Sequence, residues 1–457
     1  MNKNFKNGLF YFFIIVFVFG TIILSIYASG YKFNLRLPLD FNRLLIKTGA
    51  LNINSNPRGA KIFLDGKEIP SDDWRPWKKS YLTTPAKIRN LLPGNYELII
   101  EKVGYWPFKS DVTVNSGLTT FLEDISLFKA DSPTIKTIGD ESSEEEDIIL
   151  SYNNRFLYLK DSAQIIILEK DEERDLKKEF QDLNINDLKL NTGTWLKNNN
   201  LLLNGIIFSP NKNDQDKNFL TLVGEDAYNW KYNDNDNKLY YQNNNSLAAI
   251  NVETKSSEII FNHRENLIDY LVKDSNLFLI LNSNNRTLIQ EYSLTQKEII
   301  NELVLPGDGD YNFEESGTNH LSIYDKKNKS LYFVEANDIQ RGYRRIEFIN
   351  DWQWLSSDEI LLINDWELKH FSIQENNLEL LTRLGDKLEQ IIINEDKKYL
   401  IISGETKIIV YDLKTKFLTT ILEAEKIKSP TLDKSKDLLY FWGKLKDQQG
   451  IYRISIK

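Results

Sequence analysis

"TKIIVYDLKTKFLTTIL", residues 406–422, sets two short apolar runs on either side of the polar centre DLKTK. Alternating runs flanking a five-residue polar link are the pattern of two antiparallel strands joined by a tight turn. "SLAAINVETKSSEIIF", residues 246–261, repeats the arrangement with NVETK at the link. A hairpin that recurs within one chain makes the repeat period the deciding quantity.

An apolar run follows a polar turn eight times: FLYL at 156, LLLN at 201, LYYQ at 239, LFLI at 277, LSIY at 321, ILLI at 360, LIIS at 400 and LLYF at 438. The separations are 45, 38, 38, 44, 39, 40 and 38 residues. A unit near forty residues is the length of one four-stranded blade, so 129–457 reads as a β-propeller of eight blades. Seven is the alternative if the irregular first unit forms no blade. Trp195, Trp230 and Trp354 end the short strand that precedes the turn in their units. The last unit stops after IYRISI, one strand short. TIKTIG at 134–139 is placed to supply that strand, which leaves no long open edge. DESSEEED, residues 140–147, reads as a solvated acidic loop. Asn clusters such as KNNNLLLN alternate with apolar runs and so read as turns.

"LFYFFIIVFVFGTIILSIYA", residues 9–28, carries no charge. At 1.5 Å per residue, twenty residues span roughly 30 Å of hydrocarbon. A signal peptide is the rival, since Lys3 and Lys6 form a basic start and Ala28 suits a cleavage site. The run is longer than an ordinary signal core, and Ile26 stands where a small residue is preferred, so a retained transmembrane helix is the reading adopted. Lys3 and Lys6 on one side oppose Lys32, Arg36, Arg43 and Lys47 on the other, so charge counting does not orient the helix. A large following domain translocates largely regardless of charge. The expectation is therefore a cytoplasmic tail at 1–8, a single pass through the cytoplasmic membrane at 9–28, a linker at 29–50, and the bulk outside the cytoplasm. The lipid bilayer is the partner this implies.

Between anchor and repeats, alternation is visible in KIFLDG, NYELIIEKVGY and SDVTVNSG, with turns at Pro57-Arg58-Gly59, Asp65-Gly66, Pro93-Gly94 and Ser116-Gly117. A compact antiparallel β-sandwich over residues 51–128 follows. On these residues, with Ala60, Thr84, Pro85, Gly104 and Tyr105, the segment resembles a PEGA domain, named for a Pro-Glu-Gly-Ala motif. Arg58 stands where that motif has Glu, at a turn position the fold tolerates. The resemblance implies an extracytoplasmic spacer or adhesion module of bacterial or archaeal envelope proteins, with no catalytic residue.

An insertion, KEIPSDDWRPWKKSYL, separates Asp65-Gly66 from Thr84-Pro85. Trp74 and Trp77, beside Arg75 and Lys78, make it the candidate contact surface, because paired indoles and cations stack on sugars, headgroups or a protein partner. Packing of both rings against the chain's own domains is the competing reading.

The net charge of −9 excludes nucleic acid as a partner, since phosphate neutralisation needs a concentrated surplus of Lys and Arg. The chain has no cysteine, which excludes disulfides, thiolate metal sites and Cys nucleophiles. His263, His320 and His370 fall in separate units, without metal-pair spacing. GDGDYNFEES puts Asp308, Asp310 and Asn312 at calcium-loop spacing, but Phe313 replaces the required Gly and no Glu closes the loop. No nucleophile elbow, zincin, phosphate-loop or dinucleotide motif occurs. The expectation is a non-enzymatic envelope module without cofactor, binding an envelope protein or glycan. The alternative is an extracytoplasmic propeller enzyme acting on glycans, its carboxylates drawn from separate blades.

Overall fold

A computed structural model of the chain describes residues 3–33, 45–71, 80–138, 145–180, 190–211, 217–224, 226–263, 266–284, 286–314 and 319–457. Two compact units divide it, Met1–Asp131 together with Lys457, and Ser132–Ile456.

The first unit opens with a helix, α1, Lys3–Ala28. Its stretch Asn7–Ala28 is 22 residues long, apolar enough to cross a membrane, and has none of its apolar window buried against protein. Phe17 within it is 74% exposed. Thr21 satisfies its hydroxyl internally, donating to the Phe17 carbonyl at 2.8 Å. A membrane span and a signal sequence both meet this description. Within the span read as linker, Tyr31–Phe33 pairs antiparallel with Leu45–Lys47.

Seven strands then form two sheets. Gly49–Asn56 lies between Ala86–Leu91 and Thr119–Ser126 in one, while Lys67–Glu68, Lys61–Leu64, Gly94–Glu101 and Phe108–Val114 follow in order in the other. Leu51, Ile53, Ile62, Leu98 and Ile100 alternate inward and are fully buried. The expected antiparallel pairing has one exception: Gly49–Asn56 runs parallel to Thr119–Ser126. The reason is the crossover, since the chain passes through the second sheet before returning beside its first strand.

The second unit holds eight four-stranded antiparallel sheets among the described residues. Their innermost strands, Ile148–Leu150, Thr194–Trp195, Tyr228–Asn233, Asn266–Lys273, Tyr311–Glu314, Asp351–Trp354, Leu388–Ile393 and Lys426–Asp433, number blades 1 to 8. The unit is a β-propeller. Middle strands are buried on both faces, as in Tyr399–Gly404 of blade 7, while outer strands such as Asn377–Arg383 of blade 6 are mostly exposed. Neighbouring blades share one apolar layer, for example Leu202 and Ile207 of blade 2 with Leu239 and Ala248 of blade 3.

The turns of the quoted hairpins have a specific chemistry. Asp412 Oδ1 accepts the N–H groups of Lys414 and Thr415 at 3.0 and 2.8 Å, and Asn251 Oδ1 accepts those of Glu253 and Thr254, both at 2.9 Å. The residue that leaves each turn, Lys416 or Lys255, takes a left-handed φ of 58° or 57°. The side-chain acceptor holds the turn closed without glycine.

Blade 8 takes its outer strand from the other end of the chain. Thr134–Ile138 pairs antiparallel with Gln448–Ser455, Thr134 opposite Arg453 and Ile138 opposite Gly450. Leu157 and Ile166 of blade 1 pack with Trp442 and Ile451 of blade 8, which completes the ring. The end of the acidic run is tied down, since cations of blade 8's inner strand meet it. Lys426 pairs with Glu145, Lys428 with Asp147 at 3.1 Å, and Glu146 accepts the backbone N–H groups of Asp161 and Ser162.

The cysteine-free chain makes this closure testable without background thiols. Opposed residues of an antiparallel pair lie within disulfide reach, so Thr134→Cys with Arg453→Cys should oxidise to an intramolecular disulfide and raise the thermal midpoint. Failure to cross-link, measured by thiol titration after mild oxidation, would contradict the pairing.

Candidate functional site

The inner strands bring polar side chains to the channel wall, and most of these bond across blade boundaries. Lys231 of blade 3 donates to Asp269 Oδ1 of blade 4 at 2.6 Å and to the Tyr270 carbonyl at 2.7 Å. The same Asp269 accepts the Phe313 N–H of blade 5 through Oδ2 at 2.8 Å. Asp351 Oδ2 of blade 6 accepts the Ile391 N–H of blade 7 at 2.8 Å, Gln390 donates to the Pro430 carbonyl at 3.2 Å, and Ser429 donates to Asp147 at 2.7 Å. These groups are joints between sheets. The joints to Phe313 and Ile391 are costly to leave unmade because their donors are buried backbone N–H groups.

Two carboxylates on that wall have altered acidity. Burial pushes Glu314 above its ordinary range, with Asp269 adding to the shift and Lys326 and Lys231 opposing it. Burial also raises Asp351, to about 6, against the pull of the N–H groups of Ile391 and Trp352. Part of the Asp351 surface stays accessible, so the shift reflects the density of protein around the carboxyl more than a sealed interior. Glu314 and Asp351 open into one cavity of about 480 Å³ with Trp352, Trp354, Glu395 and Lys397.

A second recess lies between blades 2 and 3. Tyr152, Trp195, Tyr232 and Tyr240 line a cavity of about 320 Å³ with Lys197, Lys231 and Asp234. Trp195 and Trp230 are spent on packing. Trp195 stacks on Phe156 with centroids 6.0 Å apart and donates to the Ile149 carbonyl at 3.0 Å, while Trp230 stacks on Tyr241 at 4.7 Å. Tyr152, 64% exposed, remains as the open aromatic face.

Trp74, Arg75, Trp77 and Lys78 lie outside the described residues. The stem of their insertion is described: Ser71 N–H donates to the Ser80 carbonyl at 2.8 Å, and Pro70 bridges Tyr81. Asp308, Asp310 and Asn312 do not converge as a metal centre. Lys327 holds the Asp308 carboxylate at 2.8 Å, the Asp310 N–H donates to Asp325 at 3.0 Å, and Asn312 sits in a ladder opposite Tyr324. Gly309 is needed because a side chain there would meet the Tyr311 ring at 2.4 Å. Among the described residues, no three His, Cys, Asp or Glu side chains are grouped to hold a metal. His263 follows the outer strand of blade 3, His320 starts the second strand of blade 5, and His370 lies on the third strand of blade 6, so the histidines do not meet.

In the first unit, the motif residues form a clasp. Gly59 takes φ 80° and donates to the Thr84 carbonyl at 2.7 Å, the Ala60 N–H donates to Thr84 Oγ1 at 3.1 Å, and Ser55 and Thr84 share a buried bond of 2.6 Å. Residues 48–124 match the PEGA domain. Arg58 in place of the motif's Glu leaves this PEGA clasp intact, because only its backbone carbonyl is used, accepting from Lys102.

No curated protein matches the chain. Among solved structures it is similar to the Dos1 propeller, at 12% identity and TM-score 0.48, over 71% of this chain and 96% of that one. A protein of unknown function from Desulfotomaculum acetoxidans DSM 771 is similar at 11% identity and TM-score 0.35, over 55% and 90%. Hsv2 of Kluyveromyces marxianus is similar at 11% identity and TM-score 0.34, over 47% and 68%. At such identity a likeness says nothing of ligand or partner, and the propeller rests on its own strand pairings.

Asp351 generates a pH prediction. Its folded carboxyl keeps a proton to about pH 6, whereas an unfolded one releases it near 3.8. The folded state therefore binds more protons in between, and this group's contribution to stability falls as pH rises through that window. Asp351→Asn keeps an acceptor for Ile391 and removes the titration. Relative to the parent, the variant should gain about 1–2 kcal/mol between pH 4 and pH 7.5 in denaturant unfolding. A pH-independent difference would exclude Asp351 as the titrating group.

Proposed function

We propose that the chain is a non-enzymatic binding or scaffolding protein of the cell envelope, held in the cytoplasmic membrane by α1, with PEGA domain and propeller outside. The carrying observation is the apolar surface of Asn7–Ala28, none of which is buried against protein, and which water would not tolerate and a bilayer would cover. The retained helix then serves as anchor, the PEGA domain as spacer, and the propeller as the part that meets an envelope protein or glycan. A PEGA domain and a propeller are both folds suited to binding or scaffolding.

One observation favours the rival reading, a propeller enzyme acting on glycans: Glu314 and Asp351 share a cavity, and both hold protons more strongly than usual. The binding reading is preferred because Asp351 already accepts the Ile391 N–H across a blade boundary, so a catalytic proton cycle there would loosen a structural joint.

Two measurements test these statements. Mature protein should retain residues 1–28 by intact mass, and a cysteine placed at the exposed Lys446 should react with a membrane-impermeant maleimide on unbroken cells. Loss of the N-terminal segment, or labelling only after lysis, would remove the anchor or reverse its orientation. Incubation with envelope polysaccharides should release no new reducing ends. Release that disappears in Glu314→Gln would replace the binding reading with the hydrolase.

A further inference from the structure

A cavity of about 300 Å³ lies between blades 5 and 6, lined by Asn319, His320, Asn337, Arg344, Asp358 and Gln374, with Glu335 also at its wall. His320 opens the second strand of blade 5, opposite Glu335 on the third, and Arg344 comes from the fourth strand, Tyr343–Ile346. Asp358 comes from the turn before the second strand of blade 6, Glu359–Ile363. The volume is at the small end of ligand sites, which run from about 300 to 1,000 Å³.

Two buried nitrogens here lack a hydrogen-bond partner. Arg344 Nη1 and His320 Nδ1 are both buried without a hydrogen-bond partner, and His320 is only 8% exposed. Glu335 accepts from Arg341 at 2.7 Å, and Arg344 Nη1 has no bond to it. Asp358 Oδ1 stands 3.9 Å from His320 Nδ1, too far for a direct bond. A hydroxyl oxygen fits within hydrogen-bond reach of both, accepting from the imidazole and donating to the carboxylate, each at about 2.8 Å. Lys273 adds a positive charge beside this point, its Nζ donating to the His320 carbonyl at 3.1 Å. Arg341 is engaged by both Glu335 and Asp338, which leaves the Arg344 guanidinium as the cation at the cavity wall without a carboxylate of its own.

We propose that this cavity binds a hydroxylated carboxylate of the acidic-sugar class. Its carboxylate lies on Arg344, a hydroxyl lies between His320 and Asp358, and the amides of Asn319, Asn337 and Gln374 complete the hydroxyl contacts. The Arg344 guanidinium at its wall opposes a metal cation. A phosphate dianion would bring two charges to a single guanidinium, beside the Asp358 carboxylate. The inference rests on the reading of the propeller as a binding module and names its ligand class.

The test is titration of the full-length chain in detergent micelles with glucuronate, glucose and acetate, followed by ligand-observed NMR. Glucuronate should bind at least tenfold more tightly than either control. Glucose binding equally well would overturn the carboxylate contact, acetate binding equally well would overturn the hydroxyl contacts, and no glucuronate binding would overturn the site. Arg344→Met should bring glucuronate to the level of glucose with an unchanged thermal midpoint. If that variant does not fold, Arg344→Lys keeps the charge and stem and should still weaken glucuronate more than glucose. A glucuronate oligosaccharide distinguishes the source: displacement of the monosaccharide points to a residue within a polymer, and its absence to a free acidic sugar. Failure of binding leaves the anchored-module reading standing, since that reading is judged by mass and surface labelling.

Discussion

The propeller depends on one constraint, the covering of both faces of every sheet. A blade such as that of residues 388–423 carries apolar side chains on the two sides of its middle strands, Ile401 and Val410 among them. Alone it would expose both sides, at roughly 1.5–3 kcal/mol for each large aliphatic side chain left in water. Each blade is instead one layer of a stack, and a stack of twisted sheets has two unpaid faces unless it closes on itself. The strand Thr134–Ile138 fastens that closure by sewing the start of the unit to its last blade. The ionic contacts of Glu145 and Asp147 with Lys426 and Lys428 lie beside the same seam.

Closure in turn accounts for where polar side chains of the inner wall are used. Adjacent inner strands do not pair through their backbones, so their N–H and C=O groups need other partners. Asp269 and Asp351 supply acceptors, Gln390 a donor, and buried tyrosines a further set. Tyr270 donates to the Asn229 carbonyl at 2.5 Å, and Tyr399 donates to Asp437, each across a blade boundary. This gives such buried tyrosines their use: a ring fills the wedge between sheets and its hydroxyl satisfies a polar group of the neighbouring blade.

Much of this was legible in the sequence because it is periodic or local. The forty-residue spacing gives the blades, and the missing strand after IYRISI points to TIKTIG. The DLKTK and NVETK turns are readable because Asp412 and Asn251 act on residues two and three positions ahead. What could not be read is whatever depends on side chains distant in sequence. Nothing local marks Asp351 as a joint to Ile391, since the pairing exists only once two blades stand side by side. The parallel strand in the PEGA domain was hidden for a related reason, because strand direction within a sheet follows from the crossover and not from alternation. GDGDYNFEES, weak as a calcium loop for want of Gly and Glu, is ordered by Asp325, a residue beyond the motif that accepts the N–H groups of Asp310 and Lys327 from the end of the next strand.

The same reasoning separates ordinary polar groups from informative ones. Most buried acceptors in the propeller are matched to a donor that the ring itself needs satisfied, and for these a structural role is sufficient. Arg344 Nη1 and His320 Nδ1 are distinguished by being buried without a hydrogen-bond partner at the wall of one cavity, on the boundary of blades 5 and 6. What joins them is position: both lie beside Asp358 at one cavity, where a single hydroxylated carboxylate can reach the guanidinium, the imidazole and the carboxylate together.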